Sequence, residues 1–404
     1  MSRAAFRALR YGNCRLLLGS QLVSLVGTWM QTIAQGWLIY RLTHEPAMLG
    51  AVTFTALAPA FLLSPLAGLV VDRVDPRRIA VATQVGLLLQ AAILGILTVT
   101  GRITIPAIFV LSGIMGVINA FDLPTGRVLV TRTVPKEALP NAIALVSAIF
   151  HASRIVGPSI AGFVVAFSGE GWCFLLNAFS YLASLAGLWA MRLPAAAART
   201  SPGSLGEHLQ EGFTYLRRNR KVAQLFLLLG AVCLLAFPYT TLLPAFAKSV
   251  LATDARGLGW IMAASGVGAT LGAMVLAAKK DTEGLTRTML LATFALGILL
   301  VGFSLTRSLW GSSLLIVPVA WAMVTHMTSN NTLVQMTVPE SLRGRVMALH
   351  GMVFLGAVPV GSLAGGLIAS RLGVPVTLAL GGLGCSAAAL LSAWTLHRDH
   401  KHNR

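Results

Sequence analysis

The chain carries little charge for its length. Of its 404 residues, 11% are Asp, Glu, Lys or Arg, whereas 56% are hydrophobic, and the mean hydropathy is +0.77. In a soluble domain about a quarter of all residues are charged, and these residues help to cover the core with a polar surface. The chain is too apolar to make such a surface, so we expect hydrocarbon to surround most of it.

Cysteine and phosphate-binding motifs are also sparse. The four cysteines, Cys14, Cys173, Cys233 and Cys385, stand apart in mostly apolar runs. No CxxC pair or other metal-ligand spacing is present, so we expect no disulfide framework and no metal site. No Gly-x-x-x-x-Gly-Lys motif is present, so we expect neither ATP as the energy source nor another cofactor.

Catalytic side chains are not clustered either. An enzyme needs acids, bases or metal ligands gathered at one membrane face. The nearest set is His397, His400 and His402, where Arg398 and Lys401 between them predict a solvated tail. We therefore predict no enzyme and no catalytic residue. A non-transporting receptor, the alternative from another class, needs a sizeable soluble domain that the sequence does not show.

Long apolar runs dominate what is present. A membrane helix takes about 20 apolar residues. The twelve predicted spans are 16–40, 47–71, 79–100, 103–123, 139–168, 172–192, 222–247, 257–278, 286–306, 309–331, 345–370 and 374–396. The first run is too long for the apolar part of a signal peptide, so we expect an uncleaved helix.

The net charge of +18 reflects membrane topology. With both termini inside, few basic residues fall on the outer side, namely Arg41, Arg102, Lys248, Arg256, Arg307 and Arg371. Cytoplasmic loops of membrane proteins carry the excess of Lys and Arg. We predict a multi-pass protein of the bacterial inner membrane with cytoplasmic termini. No stripe of basic and aromatic residues indicates nucleic-acid binding.

The two halves of the sequence repeat. The matching residues are Thr133-Val134-Pro135 with Thr337-Val338-Pro339, Gly157 with Gly361, and Gly162 with Gly366. All share an offset of 204 residues, which indicates a duplicated unit. We predict an all-α membrane protein of two pseudo-symmetric six-helix bundles, over residues 1–193 and 222–404. The cytoplasmic linker at 194–221 should end in a surface helix.

A charged motif follows the second span. It reads Gly68-Leu69-Val70-Val71-Asp72-Arg73-Val74-Asp75-Pro76-Arg77-Arg78. Asp72 can cap or pair across helix ends, and the arginines can bind carboxylates and helix C-termini of the neighbouring bundle. We predict a gating latch made of Gly68, Asp72, Arg73, Arg77 and Arg78. The alternative is a turn with ordinary inner-side arginines.

The fifth span contains a bend and a lone charge. Gly157 permits close helix contact and Pro158 removes a backbone donor and bends the helix, and packing alone can account for both. Arg154 lies near mid-span, where an unpaired charge costs about 2.5–3.5 kcal/mol on insertion scales. His151 and Arg154 share a helical face with Pro158, and we predict that this face lines a substrate cavity. A structural salt bridge is the alternative for Arg154.

Other polar residues lie within spans one, four and ten. Those assigned to a cavity wall or a helix interface are Gln31, Gln35, Asn119, His326 and Asn330, since polar side chains avoid lipid. Asp122, an acid set within span four, is the predicted carrier of a coupling proton, with His151 and His326 as others. A helix cap before Pro124 and a pair with Arg127 are the alternatives for Asp122.

Nearly the whole chain resembles one transporter family. The motif after span two and the stretch around Gly157-Pro158 resemble the loop and antiporter signatures of the major facilitator superfamily, with Asp75 where many members have Gly. The likeness to the antiporter signature implies a gating role for Gly157 and Pro158. The segments Gly27–Gln31, Phe121–Pro124 and Val338–Met347 resemble its drug:proton antiporter-3, or transmembrane secretion effector, group, which includes enterobactin exporters. In that group an Arg usually stands two residues past the span-four Pro, where this chain has Gly126.

The resemblance implies a monomeric, proton-coupled exporter that works by alternating access on small amphiphilic molecules such as drugs or siderophores. Its expected partners are a small-molecule substrate, the proton gradient and the lipid bilayer. A cationic drug would favour a cavity carboxylate, of which the spans offer little beyond Asp122, whereas Arg154 favours neutral or anionic cargo. An uptake symporter for a small organic solute is the alternative to an exporter.

Overall fold

The structure, a computed structural model, describes residues 6–192, 205–277 and 284–402. Over these ranges the chain is helical and forms no strand. Twelve of the described helical segments are long and apolar enough to cross a membrane. The predicted all-α membrane fold of twelve spans is therefore confirmed.

The helices follow the predicted spans in order. The first half contains α1 Gly12–Thr43, α2 Pro46–Arg73, α3 Pro76–Val99, α4 Ile105–Thr133, α5 Leu139–Ser168 and α6 Glu170–Ala190. Short 3-10 turns at Arg7–Arg10 and Lys136–Ala138 precede α1 and α5. The linker contributes α7 Leu205–Arg218, and residues 193–204 lie outside the described ranges. The second half contains α8 Arg220–Leu235, α9 Pro238–Ser249, α10 Ala255–Ala277, α11 Leu285–Ser304, α12 Leu309–Thr337, α13 Glu340–Leu372 and α14 Val374–His402.

Local side-chain chemistry sets several helix starts. The Asp75 carboxylate accepts from the backbone N–H of Arg77 at 3.2 Å, and Pro76 occupies the first helical position of α3. Thr104 and Ser308 cap α4 and α12 by the same type of bond. An oxygen-bearing side chain at this position satisfies an amide that has no partner within the helix.

Prolines act differently in two of the spans. The predicted span 222–247 consists of two helices, α8 and α9, because Pro238 lacks the N–H that would continue the α8 ladder. Span four, predicted to end at residue 123, instead runs through Pro124 as far as Thr133. Membrane helices tolerate an internal proline when neighbouring helices satisfy the freed carbonyl.

The described contacts group the chain into two compact units. Unit 1 comprises residues 1–42, 55–201 and 254–263, and unit 2 comprises residues 43–54, 202–253 and 264–404. In unit 1, α3 packs along α4 and α6, whereas in unit 2, α11 packs along α12 and α14. These helix pairs are the same ones in the two repeats.

Each unit has a hydrophobic cluster built from repeat-related positions. Unit 1 buries Leu129, Val130, Val134 and Ala142 together, and unit 2 buries Leu333, Val334, Val338 and Val346. Each member of the second set lies 204 residues after a member of the first. The linker helix α7 packs on α13 beside the unit 2 cluster, where Glu211 pairs with Arg345.

Glycines set the packing of α2 and α10 in the same way. In unit 1 a Cβ at Gly162 would lie 3.0 Å from the Ala255 carbonyl oxygen and 3.2 Å from Gly259 Cα. In unit 2 a Cβ at Gly366 would lie 2.8 Å from the Pro46 carbonyl oxygen and 3.1 Å from Gly50 Cα. Gly162 and Gly366 are repeat-related. In unit 1 the backbone of α5 therefore packs directly on the start of α10, and in unit 2 the backbone of α13 packs directly on the start of α2.

Candidate functional site

Arg154 lies halfway along α5 against aromatic side chains. Its guanidinium carbon is 5.7 Å from the ring centroid of Trp29 on α1, which is a cation–π distance. Phe150, one turn earlier on α5, sets its ring edge-on to Trp29 at 6.0 Å and to His151 at 5.7 Å. Arg154 forms no ion pair with an acid in the described part of the chain. We call Trp29, Phe150, His151 and Arg154 the aromatic–arginine cluster.

Gly157 brings this cluster together. A Cβ at Gly157 would lie 2.6 Å from the Cβ of Trp29 and 2.8 Å from the carbonyl oxygen of Val26, so only glycine permits the approach of α5 to α1. The Nδ1 atom of His151 is buried and has no hydrogen-bond partner among the described groups. The cluster therefore offers an unpaired cation, two aromatic rings and a free imidazole nitrogen within one region of unit 1.

Gln31 and Gln35 lie inside the helix packing of unit 1. Gln31 Nε2 donates to Gln90 Oε1 on α3 at 3.1 Å, and Asn177 Nδ2 on α6 donates to Gln31 Oε1 at 2.7 Å. Gln35 Nε2 donates to Ser112 Oγ on α4 at 2.7 Å. All five side chains are buried. The polar stripe of α1 therefore forms a helix interface in this conformation, and it fastens α1 to three other helices.

Asp122 lies between α4 and α3. Its Oδ1 accepts from Thr83 Oγ1 at 2.6 Å and from Gln84 Nε2 at 3.0 Å, and both donors are neutral. The two alternatives for this residue are wrong, because α4 continues through Pro124 and because Arg127 is exposed and forms no described ion pair. A groove of about 380 Å³ between α3 and α4 is lined in part by Thr83. The carboxylate forms no ion pair within the described residues, and the cation that lines the same groove is that of the exposed Arg78.

The remaining cavity candidates differ in exposure. Asn119 on α4 is half-buried, and no described residue hydrogen-bonds its side chain. His326 and Asn330 are fully buried on α12. His326 Nδ1 lies 2.7 Å from Thr293 Oγ1 on α11, and Asn330 Oδ1 lies 3.0 Å from His350 Nε2 on α13. In this conformation these two residues belong to the helix packing of unit 2.

The charged motif after α2 fastens helix ends within unit 1. Arg77 Nη2 donates to the carbonyl oxygen of Trp189 in the last turn of α6 at 3.0 Å. This is the helix C-terminus that an arginine was predicted to bind, but it lies in the same unit and not in the neighbouring bundle. Asp75 caps α3 and also pairs with Arg132 of α4 at 3.4 Å. The motif therefore ties α3 to both α4 and α6.

The other residues of the motif are less constrained. A Cβ at Gly68 would meet nothing within 4 Å, so packing does not require glycine there in this conformation. Arg73 and Arg78 are exposed. Asp72 lies in the last turn of α2, and the contacts of its side chain lie outside what the structure describes. The gating role of the motif stays a prediction.

Sequence reasoning missed the partners of several of these residues. Trp29 and Phe150 flank Arg154, and Arg132 pairs with Asp75. Phe150 precedes Arg154 by one helical turn, so helical periodicity could have found it. Trp29 and Arg132 come from other helices, and no spacing rule joins them to their partners. Within the described ranges no three His, Cys, Asp or Glu side chains gather as metal ligands do.

Comparison with known proteins identifies the family. The model of the transmembrane secretion effectors matches residues 3–402. The chain belongs to this family. It is 25% identical to the staphyloferrin A transporter of Staphylococcus aureus over 378 residues, which cover 91% of this chain and 92% of the relative. It is 26% identical to the multidrug efflux pump Tap of Mycolicibacterium fortuitum over 379 residues, which cover 91% of each.

Solved structures agree on the fold. The crystal structure of a bacterial homologue of the human lysosomal transporter Spinster matches with a TM-score of 0.75, at 14% identity and over 99% of both chains. At this identity the likeness shows the fold alone. This secretion effector is a multi-pass membrane transporter of the major facilitator superfamily and not an enzyme, so the predicted family and fold are confirmed.

Proposed function

We propose that this transporter exports small amphiphilic molecules that carry an anionic group, and that the proton gradient across the bacterial inner membrane drives it. The observation that carries the proposal is the mid-span cation of Arg154, which has no acidic partner in the described part of the chain. A named efflux pump among the relatives supports the export direction. The concentration of basic residues on one side supports cytoplasmic termini.

The aromatic–arginine cluster fits an anionic amphiphile. A cation in a membrane interior is costly unless an opposite charge or water reaches it, and an oxyanion of the substrate would supply that charge. The flat or apolar part of the same molecule can lie against Trp29 and Phe150, and His151 Nδ1 can add a hydrogen bond. Hydrogen bonds to a charged group contribute about 1.5–3 kcal/mol each.

Asp122 is the proposed carrier of the coupling proton in the N-terminal half. Its carboxylate is hydrogen-bonded only by the neutral side chains of Thr83 and Gln84. A carboxylate that has no ion-pair partner in a membrane interior can bind and release a proton as access to it alternates. If Asp122 binds a proton from the outer side and releases it to the inner side, proton entry is linked to substrate exit.

The test uses two fluorescent probes with one aromatic core, one carrying a carboxylate and the other a quaternary ammonium group. Transport into everted membrane vesicles is measured for the wild type, Arg154→Gln and Arg154→Lys. Loss of one charge-assisted bond should raise the half-saturating concentration of the carboxylate probe about 10- to 100-fold in Arg154→Gln, since 1.4 kcal/mol is tenfold. Arg154→Lys should retain part of the affinity because it keeps the charge.

Arg127→Gln is the matched control, since Arg127 is an exposed arginine on α4, and its transport should equal that of the wild type. Unchanged transport of the carboxylate probe by Arg154→Gln contradicts the proposed binding site. Wild-type transport of the ammonium probe alone contradicts the proposed substrate class. Nigericin, which collapses the pH gradient, should stop transport if protons drive it.

A further inference from the structure

His326 in unit 2 is held in one tautomer by its hydrogen bonds. Thr293 Oγ1 donates its only proton to the carbonyl oxygen of Met289 at 2.7 Å. The 2.7 Å contact between that hydroxyl and His326 Nδ1 therefore requires Nδ1–H to be the donor. The Nε2 atom of His326 keeps its lone pair, and it is buried without a partner in the described part of the molecule.

His350 on α13 is held in the complementary way. Asn330 Nδ2 donates to the carbonyl oxygen of Leu225 at 2.8 Å, which turns Asn330 Oδ1 towards His350. His350 Nε2, 3.0 Å from that oxygen, must then carry the proton and donate it. In the neutral ring its Nδ1 keeps the lone pair. The hydrogen bonds of both imidazoles are thus satisfied without charge on either ring, and each neutral ring presents one anchored nitrogen and one nitrogen that can accept a proton.

His326 occupies the position in the second half that Asp122 occupies in the first. The two residues are 204 positions apart, which is the offset of the repeat. Since α4 and α12 run unbroken from these residues to the shared Thr-Val-Pro motif, the correspondence needs no gap. Each residue also contacts a threonine of the preceding helix, Thr83 on α3 and Thr293 on α11.

The surroundings of the two rings are uncharged. Phe226 on α8 lies edge-on to His350 at 5.6 Å, and Met289 Sδ on α11 lies 3.6 Å from Asn330 Nδ2. The charged groups near the starts of α8, α11 and α13 are exposed or paired: Arg220, Lys221, Arg287, Glu340, Arg343 and Arg345. The described side chains of α12, of α14 and of the unit 2 part of α10 carry no charge. On α7, Glu211 pairs with Arg345, and Arg217 and Arg218 are exposed; on α9, Lys248 lies in the last turn.

We propose that His326 and His350 form a second proton-binding site, in the C-terminal half, that works together with Asp122; this rests on the proposed proton-driven export. In this packing the hydrogen bonds of both rings are satisfied by neutral imidazoles. A proton on His326 Nε2 would place an uncompensated charge on a buried atom that has no hydrogen-bond partner in the described part of the molecule, which disfavours this packing. Protonation therefore favours a conformation in which water reaches the rings, and this links proton binding to the conformational cycle.

The experiment separates net proton coupling from substrate binding. The full chain is reconstituted in liposomes, and the carboxylate probe is followed in two modes, accumulation driven by a pH gradient and one-for-one exchange without a gradient. In His326→Gln, His350→Gln and the double variant, driven accumulation should fall at least tenfold, whereas exchange should stay within about twofold of the wild type. The pH dependence of the exchange rate should also flatten. His44→Gln, outside the spans, is the control and should behave as the wild type.

Two results would overturn the proposal. One is driven accumulation at the wild-type rate in the double variant. The other comes from the wild-type protein with ¹⁵N-labelled histidine: no change in the ring-nitrogen resonances of His326 and His350 between pH 8.5 and pH 5 would exclude proton binding without relying on any variant. If nigericin leaves wild-type transport unchanged, the proposed proton-driven export itself is wrong. If nigericin stops wild-type transport, but the double variant accumulates the probe at the wild-type rate, only the proposed histidine site is wrong.

Discussion

The contact between the start of α2 and α13 is tight enough that one added methyl group should open it. A Cβ at Gly50 would lie 2.4 Å from the carbonyl oxygen of Ser362 and 3.0 Å from the Cα of Leu363. Both are backbone atoms, so neither can rotate away. An ordinary contact for a Cβ begins at 3.4 Å. Gly50→Ala therefore requires the two helices to move apart by about 1 Å, which forfeits much of the dispersion energy between them.

The expected magnitude follows from this overlap. Overpacking of a tight contact costs about 1–3 kcal/mol, and each 1.4 kcal/mol changes a population about tenfold. Gly50→Ala should therefore shift the population away from the packed contact by about 5- to 150-fold. Gly366→Ala, whose nearest backbone atom is at 2.8 Å, should have a smaller effect in the same direction. Gly126→Ala is the matched control, because its Cβ meets nothing within 4 Å.

The assay is the reaction rate of a single cysteine at a buried position of α13 beside the contact. Ser362 is fully buried and its carbonyl oxygen is the atom nearest a Cβ at Gly50, so Ser362→Cys, in a chain whose four buried native cysteines are replaced, should react with a maleimide faster when α13 moves away from the start of α2. The rate should follow the order Gly50→Ala, Gly366→Ala, Gly126→Ala. Equal rates for Gly50→Ala and Gly126→Ala, in variants that reach the membrane equally well, would refute the reasoning.

Two further predictions concern stability, measured as the thermal unfolding of the purified protein in detergent. Asp75→Ala removes both the cap of α3 and the pair with Arg132 and should destabilise by about 1–2 kcal/mol, whereas Asp75→Asn should keep most of the cap; equal losses would contradict the capping role. Asn177→Ala leaves the buried Gln31 Oε1 without its donor and should cost about 1–3 kcal/mol; an unchanged unfolding temperature would show that water or a rearranged side chain replaces the bond.

The sequence predicted the parts of this fold that depend on whether each side chain prefers hydrocarbon or water. Hydropathy located twelve spans, and the offset of 204 residues indicated the repeat that the two buried clusters share. Prolines were harder to interpret. The predicted span 103–123 stopped before Pro124, through which α4 continues, whereas the predicted span 222–247 included Pro238, which separates α8 from α9. The apolar pattern of a single span does not distinguish the two cases.

The site was predicted only in part for a related reason. Periodicity placed polar residues on one face of α1 and marked Arg154 and Asp122 as intramembrane charges. It could not say whether another helix, a cavity or lipid lies opposite that face. The structure turns Gln31 and Gln35 into helix contacts and sets Trp29 beside Arg154.

By itself, the sequence determined that this protein spans the membrane twelve times and contains an internal repeat, because the lengths of the apolar runs and the repeat offset can be measured along a single chain. Only the tertiary structure decided which polar groups are satisfied and which are not. It left Arg154 without an acid in the described part of the chain, gave Asp122 two neutral donors, and fixed the tautomers of His326 and His350. Those outcomes depend on atoms brought together from different helices, and helix packing determines which of them meet.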